Sequence, residues 1–166
     1  AVEGVDEDLQ KLMDDMLETM YAAPGIGLAA IQVGVPKRVI VLDIVWRDKP
    51  ESTNDKRQEE IRNPLCFVNP EIISKSTNNS TYEEGCLSVP GQFAEIDRPD
   101  KCHIKYLDYY GQPKEIKAEG MLATCIQHEI DHLEGILFID YLSKLKKSMI
   151  IKKLSKQKKA IERIVV

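Results

Sequence analysis

Met121-Leu-Ala-Thr-Cys-Ile-Gln-His-Glu-Ile-Asp-His-Leu-Glu-Gly135 is the stretch on which the reading of the chain turns. It reads as one helix, and it holds two of the chain's three histidines. His128 and His132 are four residues apart, so on a helix they stand one above the other and can grip a single metal ion. Glu129 lies beside that face, where its carboxylate can take a proton from water, the role the glutamate plays in H-E-x-x-H hydrolases. One or two turns back, Cys125, Thr124 and Met121 make an apolar, soft wall beneath the metal, although the same side chains would also serve as ordinary core.

Two imidazoles leave a tetrahedral ion short of a third protein ligand. The extended zincin pattern would place histidine at 138, which is Phe138, and Glu162 lies in a lysine-rich helix. His103 sits in the alternating stretch Lys101-Cys-His-Ile-Lys-Tyr-Leu-Asp108, where an exposed side chain is expected. Cys86, in Glu83-Glu84-Gly-Cys-Leu-Ser-Val-Pro-Gly91, is the better candidate. A thiolate with two imidazoles leaves one position open and suits Fe(II) or Zn(II).

Upstream, Asp6 to Tyr21 carries Leu9, Leu12, Met13, Met16, Leu17 and Met20 at helical spacing, with Asp6 as N-cap. Its methionine stripe is read as core. Ala23-Pro-Gly-Ile-Gly-Leu-Ala-Ala-Ile-Gln32 follows. Its G-x-G-x-x-A pattern is not a dinucleotide loop, because that loop needs a strand before it and a helix after it, and here the order is reversed. The two glycines imply a positive backbone dihedral or the close approach of another chain. Gln32 is either a polar group aimed into a site or a loop-bracing amide.

Val39 to Val45 is a buried strand. Trp46 to Leu65 is polar and aperiodic, an exposed loop. Cys66 to Pro70 and Ile72-Ile73 give a short strand with a turn, and Asn78-Asn79 another turn. The stretch from Lys101, the Tyr110-Gly-Gln-Pro113 turn and Glu115 to Ala118 form a hairpin. Gly135 ends the metal helix, Ile136 to Tyr141 is a short extended piece, and Leu142 to Ile164 is helical among lysines.

A chain of 166 residues is one domain's worth, and no apolar run approaches a membrane span, so a soluble protein without membrane contact is expected. The formal net charge of −4 argues against generic nucleic-acid binding, and no sequence-specific nucleic acid is expected as a partner. Acidic residues crowd the first twenty positions and lysines the last twenty-five, read as solvated helix faces or, at the basic end, as a docking surface. Four cysteines without a C-x-x-C pair or framework indicate a reducing compartment. Ala1 is not an initiator methionine, so a trimmed or processed chain is expected.

Taken together, Gly25-Ile-Gly-Leu-Ala-Ala-Ile-Gln32, Glu84-Gly-Cys-Leu-Ser88 and Gln127-His-Glu-Ile-Asp-His132 make the sequence resemble the peptide deformylases, which carry these three motifs in this order. The similarity covers almost the whole chain, from about Val2 to the C-terminal helix. It implies that Cys86, His128 and His132 hold the metal, that Glu129 is the general acid/base, and that Gln32 and the backbone N–H of Leu87 donate to the oxyanion. It implies one divalent ion per chain, Fe(II) first, with Zn(II), Ni(II) or Co(II) as alternatives. The reaction implied is removal of the formyl group from the N-terminal methionine of newly made polypeptides, releasing formate.

An apolar pocket for the methionine side chain would be lined by Ile26, Tyr82, Met121 and Cys125, while the loop of Gly25, Ile26 and Gly27 pairs with the peptide backbone by strand addition. The resemblance also suggests the ribosome as a partner for the basic C-terminal helix, and a bacterial cytoplasm, or an organelle after removal of a transit peptide. The chain departs from the family pattern in lacking an N-terminal strand and turn, in Phe93 where some bacterial members have arginine, and in a longer insertion around Pro50 to Asn63.

The expected fold is α+β, mainly antiparallel sheets around a central metal-binding helix with amphipathic N- and C-terminal helices outside it. A single catalytic domain spans 1–166, its basic helix starting at about 142. A zinc endopeptidase shares H-E-x-x-H, and a non-catalytic metal-stabilised module would fill all four metal positions with protein.

Overall fold

A computed structural model describes residues 1–46 and 62–164. Helix α1 (Glu7–Ala22) begins where expected: Asp6 is extended and its carboxylate accepts the Leu9 N–H, satisfying one of the free donors of the first turn. Strands β1 (Gly27–Ala29), β2 (Val39–Leu42), β3 (Leu65–Lys75), β6 (Lys101–Leu107) and β7 (Pro113–Glu119) form one sheet in the order β1-β2-β3-β6-β7, antiparallel throughout. Strands β4 (Asn79–Cys86) and β5 (Val89–Pro99) pair separately as a long hairpin. Helix α2 (Gly120–Leu133) follows β7 directly, and helix α3 (Lys144–Ile164) closes the chain.

Strand β2 explains the layering. All four of its residues are buried, and they alternate between two cores. Val39 and Val41 pack with Leu9, Met13, Met16 and Met20 of α1, whereas Ile40 and Leu42 pack with Ala123, Cys125, Ile126 and Ile130 of α2. Period-two alternation thus sends one face of the sheet to each helix, and each buried methionine of α1 contributes about 1.5–3 kcal/mol of transfer free energy. On its other side α2 meets the β4–β5 hairpin. There Val89 and Ile96 form a third cluster with Phe138, Ile139 and Ile150. Enclosed between two sheets, α2 is buried from Ala123 to Ile130. The α+β architecture with a central helix and flanking terminal helices agrees with the sequence reading.

Four local expectations need correction. The strand expected over Val39 to Val45 stops at Leu42, because Asp43 turns inward to bind backbone N–H groups. The short strand and turn near Cys66 are one strand through Lys75. Its turn signal reflects the left-handed Asn69 (φ 50°) and register shifts that bend β3 rather than end it. Ile136 to Tyr141 is not extended; Phe138–Tyr141 is a 3-10 turn. The whole of β5 has no counterpart in the sequence reading, since Pro90, Gly91 and Pro99 masked its alternation. Of the loop expected over Trp46 to Leu65, the part at 47–61 lies outside the described residues.

The metal helix ends as expected, with Gly135 left-handed (φ 74°) and its N–H donating to the His132 carbonyl. Helix α3 buries only Ile150, leaving Leu145, Met149, Ile151, Ile161 and Ile164 exposed among lysines. Among the described residues no helix is long and apolar enough to cross a membrane.

Candidate metal centre and its cleft

Helix α2 presents His128 and His132 on one face, their ring centroids 5.1 Å apart. The end of β4 brings Cys86 to them, 46 residues away in sequence, with its Sγ 3.2 Å from His132 Nε2. The ligand atoms of Cys86, His128 and His132 all lie within 4.8 Å of one another. Metal bonds of about 2.0–2.3 Å for nitrogen and sulfur place such a set around one ion. Among the described residues no other cluster of this kind forms.

The surroundings fit a cation. His128 Nδ1 lies 2.8 Å from Glu84 Oε1, so the ring donates there and its Nε2 is left for the metal. Glu84 is in turn gripped by Arg98, whose Nε and Nη2 donate to the two carboxylate oxygens at 2.7 and 3.0 Å, while Nη1 donates to Asp131 at 2.7 Å. Tyr141 donates to the same Asp131 oxygen and lies under the Arg98 guanidinium. Arg98 is 3 % and Glu84 6 % exposed. The buried guanidinium, paired bidentately with one carboxylate and singly with another, is fully compensated.

The protonation balance of the metal-free centre follows from these contacts. Burial works against ionisation of Cys86, but His128, His132 and the Ser88 N–H together bring its thiol down to about 5. Desolvation disfavours charge on His128, yet the Cys86 sulfur and the Glu84 and Glu129 carboxylates outweigh it and raise it to about 10. Glu84 also suffers desolvation, and its bonds to His128 and Arg98 hold it below the usual carboxylate range. A thiolate beside two imidazoles is the donor set a divalent ion takes up in exchange for protons.

Glu129 differs from these groups in keeping one oxygen without a hydrogen bond, although its Oε1 lies 3.9 Å from His128 Nε2. It is 5 % exposed, and its Oε2 has no hydrogen-bond partner. Desolvation raises its carboxyl to about 7, against the pull of His128 and His132. A buried carboxylate oxygen left unpaired calls for a partner from outside the chain. Facing it, Gly27 lies so close that a Cβ there would stand 2.7 Å from Glu129 Oε1. Gly25 and Gly27 both lack a positive φ, and what approaches Gly27 is a carboxylate rather than another backbone.

Gln32 sits in a 3-10 turn at Ala30–Val33. Its Oε1 accepts the Ala29 N–H at 2.8 Å, which fixes the amide so that Nε2 donates to Ser88 Oγ at 3.0 Å and toward Cys86 Sγ at 3.4 Å. Bracing and pointing into the site are therefore both true of Gln32. A cleft of about 500 Å³ opens here, and Gly25, Ile26, Gly27, Gln32, Tyr82, Leu87, Met121, Cys125, His128 and Glu129 all line it. Every residue singled out from sequence for catalysis, substrate contact or metal binding thus lines this cleft or, like His132, stands in the triad at its floor. Sequence reasoning missed Arg98, Asp131, Tyr141 and Ser88. Ser88 and Asp131 had a local signal, through their places in the Glu84–Ser88 and Gln127–His132 motifs.

A Cys-His-His triad on and beside a buried helix, with an unpaired carboxylate and an amide donor at a peptide-sized cleft, defines a metal-dependent hydrolase. A family-wide sequence profile for polypeptide deformylase matches residues 1–148. The peptide deformylase of Pelagibacter ubique is 63 % identical over 165 residues, covering 99 % of this chain and 88 % of that one. The crystal structure of the peptide deformylase from Ehrlichia chaffeensis superposes with a TM-score of 0.83 at 48 % identity, over 96 % of this chain and 88 % of that one. A plant peptide deformylase, PDF1B, does so with a TM-score of 0.81 at 33 % identity, over 98 % and 83 %. The chain belongs to the polypeptide deformylase family. It is a metal-dependent peptide deformylase, which removes the formyl group from N-terminal formylmethionine.

Proposed function

We propose that Cys86, His128 and His132 hold one divalent ion, that Glu129 carries the proton, and that Gln32 with the Leu87 backbone N–H stabilises the developing oxyanion. The observation that carries this reading is the buried, unpartnered Glu129 oxygen in the cleft beside the triad. When bound, the ion acidifies water and polarises the formyl carbonyl. Glu129 takes the proton from the attacking water and delivers it to the departing amine, leaving formate and a free N-terminus. A carboxyl poised near neutrality is suited to both halves of that transfer. Gln32 Nε2 is already held toward the sulfur and Ser88, and each preorganised oxyanion donor is worth about 2.7–4 kcal/mol.

The substrate is the formylated nascent polypeptide. Ile26, Tyr82, Met121 and Cys125 enclose its methionine side chain, and the Gly25–Gly27 edge pairs with its extended backbone. The family resemblance puts Fe(II) first, and one thiolate with two imidazoles is a donor set that Zn(II), Ni(II) and Co(II) can also occupy. The expected site of action is the bacterial cytoplasm, where chains begin with formylmethionine.

The test is mass spectrometry of formyl-Met-Ala-Ser incubated with anaerobically prepared Fe(II) protein. Loss of the formyl mass with an intact backbone is expected, whereas internal cleavage would move the reading to an endopeptidase.

The lysine-rich α3 is proposed to dock on the ribosome. Because Ile150 anchors α3 in the core, charge reversal at the exposed Lys152, Lys153 and Lys156 is a cleaner test than truncation. Co-sedimentation lost on reversal supports docking, and sedimentation equal to wild type sinks it.

A further inference from the structure

Asp43 is 1 % exposed, yet its carboxylate has four partners among the described residues. Oδ2 accepts the Tyr21 hydroxyl at 2.6 Å and the Asn63 N–H at 2.9 Å, and Oδ1 accepts the N–H groups of Val45 at 3.0 Å and Trp46 at 3.3 Å. A buried carboxylate so fully bonded is a rigid anchor. Trp46 reaches from this anchor toward the cleft. Its indole stands edge-on to the Tyr21 ring, centroids 5.2 Å apart at 87°, and its Nε1 donates to the Gly25 carbonyl at 3.0 Å.

Gly25 to Gly27 is one lip of the cleft. Its glycines have no side chains with which to hold a conformation of their own. Besides the pairing of Gly27 with Leu42 in the sheet, three hydrogen bonds among the described residues hold it: Gly25 N–H to the Met20 carbonyl at 2.9 Å, Asp43 N–H to the Ile26 carbonyl at 2.9 Å, and the Trp46 indole to the Gly25 carbonyl. The first two are backbone bonds available to any sequence. The third depends on a single side chain.

We propose that Trp46 is a positioning residue for the reaction: its indole N–H, braced on the Asp43 anchor, holds the Gly25–Gly27 lip in the conformation that receives the peptide backbone. This rests on the deformylase reading above and on the pairing of that lip with substrate. Trp46 is remote from the ligand set in sequence and lines no part of the cleft. Its effect therefore falls on peptide binding and not on proton transfer or metal retention.

The experiment uses Fe(II)-loaded wild type, Trp46→Phe and Tyr21→Phe with formyl-Met-Ala-Ser. Phenylalanine keeps the aromatic packing and deletes one donor, so KM should rise about 3- to 10-fold, the equivalent of one net hydrogen bond, with kcat within about twofold. Tyr21→Phe removes one bond to Asp43 while leaving the Val45 and Trp46 N–H bonds to Oδ1 and the ring against the indole in place. It should lower Tm and leave KM unchanged, which separates positioning from stability. Because Trp46 is the only tryptophan, wild-type emission should shift on saturation with the product Met-Ala-Ser. An unchanged KM in an active Trp46→Phe, a KM rise of equal size in Tyr21→Phe, or emission blind to saturating peptide would each overturn the positioning role. Inactivity of the wild type itself would overturn the deformylase reading and the positioning role with it.

Discussion

Gly27 and Glu129 approach each other so closely that a methyl group on the glycine would stand 2.7 Å from Glu129 Oε1 and 2.8 Å from Leu42 Cδ2. The carboxylate is thereby wedged between α2 and β1. Gly27→Ala should displace Glu129, because Leu42 is fully buried and has no room to yield. We expect kcat to fall at least tenfold while metal content by atomic absorption stays at wild-type level. Overpacking of a core typically costs about 1–3 kcal/mol, so Tm should drop too.

Removing the carboxylate itself isolates its chemistry. Glu129→Ala should reduce turnover about 10²- to 10⁴-fold, the usual range for general acid–base catalysis. Since Glu129 Oε2 makes no hydrogen bond in the protein, the folded protein should lose little stability. Turnover retained by a metal-loaded Glu129→Ala protein would contradict the assignment.

Gln32→Leu tests the oxyanion donor. The substitution removes the bonds to Ala29, Ser88 and Cys86, and kcat should fall about 10²- to 10³-fold, as for loss of one such donor. KM for the formyl peptide should change far less. The comparison that decides is between the two constants in steady-state kinetics.

Glu84 holds His128 from behind and is itself held by Arg98. Glu84→Gln keeps the shape and loses the charge, so the orientation and basicity of the imidazole suffer. A loss of about 10- to 100-fold in metal affinity is expected by competition with a chelator. Among the described residues the buried Arg98 is then left with Asp131 as its one charged partner, which should lower Tm as well.

Metal removal should expose one thiol selectively. Cys102 and Cys125 are buried, and burial pushes the half-buried Cys66 up to about 12. Cys86 in the stripped protein is drawn toward the thiolate by its histidines. Iodoacetamide should therefore alkylate Cys86 first after chelation and should be blocked by reloading, as read by peptide mapping.

In the 3-10 turn Phe138–Tyr141, Asp140 accepts from Lys147 Nζ and the Leu137 N–H, which lower its carboxyl below the ordinary 3.8. A depressed carboxyl contributes stability that is complete above the unfolded value and disappears as pH falls through the folded one. The Tm difference between wild type and Asp140→Asn should accordingly be present at pH 6 and shrink as pH falls below 3.8.

The amino-acid sequence by itself determined the groups and their local spacing. His128, Glu129 and His132 are fixed by one helical repeat, the Asp6 cap and the methionine stripe by another, and the Gly135 stop by the one residue type that enters the left-handed region without strain. These are short-range relations, written in the chain within a few residues of one another, and α1, α2 and the β6–β7 hairpin were legible for that reason.

Only the tertiary structure decided the relations between distant stretches. That Cys86 meets His132, that Arg98 on β5 locks Glu84 on β4 to Asp131 on α2, that Gly27 is bare to admit Glu129, and that Trp46 holds Gly25 all depend on strand register and on how two sheets close over one helix. No local pattern encodes them, because register is chosen by the summed burial of whole faces. The strand β5 stayed hidden for the same reason: its prolines and Gly91 argue for a loop until the pairing with β4, Glu83 opposite Glu95 and Gly85 opposite Phe93, lines up the run from Phe93 to Pro99.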